Sequence, residues 1–81
     1  RFGLDATNPI PVKEFSGLDY YFEKLCLQKG ISWKRYGSTS AENINGMIDI
    51  YVLSSEDGSN LETLYVCIYC NETSTRKPEG F

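Results

Sequence analysis

The chain reads as an α+β domain in which one helix, residues 17–29, packs on one face of a three-stranded antiparallel sheet formed by residues 31–36, 47–53 and 61–70. Three observations lead to this expectation. Leu18, Tyr21, Phe22, Leu25 and Cys26 recur at helical spacing and make one apolar stripe. After Gly30 the apolar period drops to two, the repeat of a strand. Two of the strand-like runs flank Asp57-Gly58, a dipeptide suited to the tight turn of a hairpin.

Residues 1–13 form an extended arm, because Pro9 and Pro11 each push the preceding residue toward extended backbone and remove a donor. Ile10 and Val12 lie two apart, so both can reach the core from an extra N-terminal edge strand. Ser16-Gly17-Leu18-Asp19 has the spacing of a capping box, with Asp in place of Glu, and Phe15 and Tyr20 stand where a hydrophobic staple would form. Lys29 and Gly30 close the helix with a cation in the last turn and a residue suited to the left-handed conformation.

Ile31 and Trp33 then share one side of the first strand, with Trp33 read as a core anchor, while Lys34 and Tyr36 share the other. The polar, glycine-containing stretch 37–46 is a loop. Along 47–53, Ile48, Ile50 and Val52 make the better core face, which leaves Met47, Asp49, Tyr51 and Leu53 outside. Along 61–70, Leu64, Val66, Ile68 and Cys70 point inward and Thr63, Tyr65, Cys67 and Tyr69 outward. The polar tail 71–81 is a flexible end or a docking arm whose apolar hook is Phe81.

Eighty-one residues are expected to make a single domain that buries roughly 60–65% of its unfolded surface, so its stability is thin. A net charge of −3, with basic pairs only at Lys34-Arg35 and Arg76-Lys77, disfavours nucleic acid as a partner. No apolar stretch approaches the roughly 20 residues that span a bilayer, and no signal-peptide core is present, so neither is a membrane partner expected. The chain begins with Arg1, which suggests a processed protein or a segment of a longer one. Asn71-Glu72-Thr73 fits the glycosylation pattern, and with Arg1 it motivates one reading as a structural domain of a longer secreted or viral polypeptide. The compartment stays open.

Catalysis has little material here. With no histidine in the chain, Ser-His-Asp and Cys-His arrangements are excluded, and no carboxylates are paired by spacing, so the expected protein is not an enzyme and needs no cofactor. Cys67 and Cys70 stand in a Cys-x-x-Cys spacing that motivates a second reading, a thiol-dependent metal or redox protein. Against it, residues three apart in a regular strand point to opposite faces with Cα atoms roughly 10 Å apart. The chain also supplies only three thiols for a metal, so no metal site is expected. The simplest reading leaves all three cysteines as small apolar residues, and if any pair bridges, Cys26 with Cys70 on facing elements is the better match.

The leading functional expectation is a small interaction module. Tyr51, Tyr65 and Tyr69, with Asp49, project from the sheet face opposite the helix, and tyrosines offer large contact area with a polar tip. The partner would be another protein or a second copy of the same chain.

Overall fold

A computed structural model describes residues 2–44, 46–68, 70, 72–78 and 81, with Gln28 described in its backbone alone. Among these residues the elements are strand β1 (Ile10–Pro11), helix α1 (Glu14–Cys26) followed by a 3-10 turn (Leu27–Lys29), and strands β2 (Ser32–Thr39), β3 (Ile48–Ser54) and β4 (Asn60–Cys67). The expected α+β class holds, and the N-terminal arm does supply an edge strand. The sheet order is β1-β4-β3-β2, with β1 parallel to β4 and the other neighbours antiparallel. The two ends of the helix connection therefore lie at opposite edges of the sheet. Thirteen residues of α-helix span about 20 Å, enough to carry the chain across three strand spacings of about 4.8 Å each.

The helical stripe is buried as its spacing requires: Leu18, Tyr21, Phe22, Leu25 and Cys26 are all in the core. They meet Tyr51 and Leu53 from β3, Leu64 and Val66 from β4, and Ile10 and Val12 from the arm. Phe22 is the centre of this packing, with its ring 5.1 Å from that of Tyr51 and stacked at 5.6 Å on Trp33. Such aromatic pairs add roughly 0.5–1.5 kcal/mol each beyond the area they bury.

Two local expectations are corrected. The helix opens at Glu14, not at a Ser16 cap, because partners distant in sequence take the first donors: Lys13 N–H bonds Thr73 Oγ1 at 3.0 Å and Glu14 N–H bonds Ile68 O at 3.0 Å. Phe15 and Tyr20, the staple candidates, both remain exposed. The helix end follows expectation, with Gly30 left-handed at φ 68°. The tail docks along the fold. Tyr21 donates its hydroxyl hydrogen to Arg76 O at 2.6 Å, the Arg76 guanidinium lies 4.6 Å from the Phe2 ring, Pro78 is buried, and Phe81 packs on the core.

The largest correction concerns β3. Asp49, Tyr51 and Leu53 point at the helix and are buried, whereas Ile50 and Val52 lie half-buried on the other face. The cause is a register shift in the hairpin. Ser54 pairs with Asn60, but Leu53 pairs with Glu62, so Leu61 is an extra residue on β4. Extending the Ser54–Asn60 register without that bulge would set Ile50 beside Leu64 and Ile48 beside Val66, the arrangement the sequence suggests. With it, Tyr51 pairs with Leu64 and Asp49 with Val66. Ile48 is still fully buried, though outside the helix-facing core, and the same register brings it opposite Cys67.

Gly17 gives a test of the tail contact. A Cβ there would collide with Thr73 Oγ1, the acceptor for Lys13. Gly17→Ala should therefore lower stability by about 1 kcal/mol in urea unfolding, although alanine is intrinsically the better helix former by about that amount. In a Thr73→Ala background the same change should become stabilising. Stabilisation in both backgrounds would show that the tail does not close on the helix.

Candidate functional site

Because α1 covers the Tyr51 and Leu53 end of the inner sheet face, the Asp49 end is left open beside the first turn of the helix. A groove of about 380 Å³ lies there, lined by Phe15, Arg35, Ser38, Met47, Asp49 and Ile68. Strand alternation and pairing explain the membership. Arg35 pairs with Tyr51 and Ser38 with Asp49, so both β2 residues share the inner face. Met47 and Ile68 stand two residues from Asp49 and Val66 in their strands' continuations, and Phe15 overhangs from the helix start. Phe15 is 60% and Met47 47% exposed, an apolar rim that the fold leaves in solvent.

The floor of the groove is an unbalanced ion pair. Arg35 Nη2 lies 3.4 Å from Asp49 Oδ1, with the arginine side chain 53% exposed and the aspartate 8%. Asp49 Oδ2 is buried and has no hydrogen-bond partner among the described residues. A half-exposed pair of this length contributes at most about 1 kcal/mol, whereas withdrawing a carboxylate from water costs several. The pair thus adds little to the fold and leaves the second carboxylate oxygen unused, as for a residue retained for something other than packing. The same carboxylate acts on its neighbour: burial first, and the Asp49 charge second, raise the Tyr51 hydroxyl above its ordinary value of 10.0, with Arg35 opposing. Tyr51 stays a neutral phenol.

The candidate tyrosine face is not brought together. Tyr51 is buried under Phe22, and Tyr65, paired with Ile50, lies half-buried on the opposite face of the sheet. Tyr69 and the Asn71 sequon position lie outside the described residues. The sequence places Asp49 beside Tyr51 on a solvent-facing side. They do share a face, but it is the inner one. Phe15, Arg35, Met47 and Ile68 were not anticipated at the site, since no local spacing links residues so far apart in the chain.

The cysteines are also rearranged. All three are free thiols. Cys26 is fully buried in the core, where desolvation raises its thiol to about 11 despite the nearby Lys29 charge, and Cys70 lies against Cys67 instead, with the sulfurs 3.6 Å apart. Strand β4 ends at Cys67, so the regular-strand separation does not apply. Among the described residues no group of three or more His, Cys, Asp or Glu could hold a metal, and no helix is long and apolar enough to cross a membrane.

Comparison with known proteins finds no matching family model, curated protein or solved structure.

Replacing this half-satisfied carboxylate should stabilise the protein. Asp49→Val keeps a β-branched residue on the buried strand face and removes the desolvation cost, so the urea midpoint should correspond to a gain of about 1–2 kcal/mol. A loss of stability would mean that the Arg35 pair outweighs the burial.

Proposed function

We propose that this chain is a small, non-enzymatic protein-interaction module whose docking site is the Phe15–Met47–Ile68 groove over Arg35 and Asp49. The partner is an extended, electrically neutral polypeptide segment. One observation carries the reading: a buried carboxylate oxygen without a partner among the described residues stands in a groove whose rim is exposed phenylalanine and methionine. Buried acceptors are almost always satisfied, so an orphan in a groove is a place for an incoming donor.

The chemistry of the floor narrows what that donor is. Arg35 already stands against the carboxylate, so a second cation would meet the guanidinium as well as Asp49 and gain little. A neutral N–H meets no such opposition. The remaining Arg35 N–H groups face half into solvent and suit a carbonyl oxygen. One acceptor and one donor beside an apolar rim complement a peptide unit and the side chain next to it, a combination common at protein interfaces. Methionine suits this role because its flexible chain adapts to varied apolar shapes, and phenylalanine because its rigid ring offers large contact area. A second copy of this chain is a special case of such a partner, and the absence of histidine leaves the groove without the commonest general base.

Selection of a random linear peptide library on the folded protein tests this. Sequences enriched on the wild type should pair an aromatic or aliphatic residue with uncharged neighbours, bind with little dependence on ionic strength, and lose at least about tenfold in affinity on Asp49→Val and on Phe15→Ser. Enriched peptides that are strongly basic and salt-sensitive, or that bind both variants as well as the wild type, would contradict the reading. Sedimentation showing a dimer dispersed by the same two substitutions would identify the partner as a second copy.

A further inference from the structure

Cys67, the last residue of β4, and Cys70 just beyond it are a built pair. Val12 holds both: its N–H donates to Cys67 O at 2.9 Å, and its carbonyl accepts from Cys70 N–H at 3.3 Å. The single peptide position of the arm thus fixes the backbone on either side of the intervening residues and sets the sulfurs 3.6 Å apart. Bond formation needs a closure to roughly 2.0 Å, within the reach of a change in side-chain torsion. A cleft of about 310 Å³, lined by Thr7, Asn8, Pro9, Ile44 and both cysteines among others, gives access to the pair. Access is unequal, since Cys67 is 6% exposed and Cys70 half-buried.

We propose that Cys67 and Cys70 form a reversible dithiol–disulfide site that reacts with low-molecular-weight disulfides such as glutathione disulfide, Cys70 reacting first and Cys67 resolving. Cys70, as its thiolate, attacks one sulfur of the small disulfide. The S–S bond breaks, one thiol leaves, and a mixed disulfide forms on Cys70. Cys67, after losing its own proton to solvent, attacks Cys70 Sγ and expels the second small thiol. Two protein thiols and one small disulfide become one protein disulfide and two small thiols, with two electrons passing to the small molecule. Burial, the hydrogen bond that the Cys70 thiol donates to Cys67 Sγ and the charge Cys67 would carry all raise the Cys70 thiol above its ordinary value, which makes the reaction slow at neutral pH and still accelerating above pH ~8.5, where an ordinary thiol levels off. Cys26, enclosed in the core, takes no part.

Tryptic mapping separates the outcomes, because cleavage after Lys24, Lys29, Arg35 and Arg76 places Cys26 in fragment 25–29 and both other cysteines in fragment 36–76. The native chain is incubated with glutathione disulfide, quenched with acid and unfolded in denaturant, its free thiols are alkylated, and it is digested. Fragment 36–76 should be lighter by two hydrogens and unalkylated, fragment 25–29 should carry the alkyl group, and excess reduced glutathione should restore the dithiol. Cys67→Ser should accumulate the glutathione adduct on Cys70, at least about tenfold faster than Cys70→Ser accumulates it on Cys67. Full alkylation of all three cysteines after incubation, a stable adduct in the wild type, or a cross-link between the two fragments would each overturn the proposal.

Discussion

β4 meets β3 with one residue too many, and that residue, Leu61, decides which side of β3 the helix covers. A strand can bury one set of alternate side chains against a helix, and a shift of one position exchanges the whole set. With the bulge in place, Tyr51 and Leu53 stand beside Leu64 and under Phe22, and Ile50 and Val52 turn outward. Tyr51 brings more contact area to the helix than an isoleucine would and gains the ring contact with Phe22, which is in turn stacked on Trp33. The cost of that choice falls on Asp49, which alternation carries inward with Tyr51.

The groove follows from that burial. Had the helix run over the far end of the sheet, Asp49 would be enclosed, and a carboxylate with only a long, half-exposed arginine partner would be hard to sustain. Instead the helix begins at Glu14, tied to the Ile68 carbonyl, so its first turn forms a wall and not a roof. The same tie positions Ile68, which lines the groove and immediately follows Cys67. The groove and the thiol pair are therefore anchored by neighbouring bonds from one stretch of chain, Val12 to Glu14, although they open on different clefts.

Local periodicity made much of this fold legible. The stripe from Leu18 to Cys26, the left-handed Gly30, the inward set Leu64, Val66 and Ile68, and the reach of Ile10 and Val12 to the core all follow from spacing within one element. The β3 face does not, because a single bulged residue in the hairpin changes its parity without changing the composition of either strand. The helix start is not legible for a related reason: Thr73 and Ile68 do the work that a Ser16 cap would do, and they are distant in sequence. Asp49 could be singled out by its place beside Tyr51, but its burial, and the assembly of Phe15, Arg35, Met47 and Ile68 around it, depend on the sheet order. Regular strand geometry separates Cys67 from Cys70, but it does not extend to Cys70, because β4 ends at Cys67 and Val12 bonds the backbone of both residues.

The account stands on the direction in which β3 faces, and hydroxyl-radical footprinting of the native protein measures it directly. Tyr20 and Tyr36, 57% and 78% exposed, should be oxidised readily, while Tyr51, 6% exposed, should be protected until the protein is unfolded. Oxidation of Tyr51 in the native state at the rate of Tyr36 would place that face of β3 in solvent. Asp49 would then be solvated, and the groove over it would not exist.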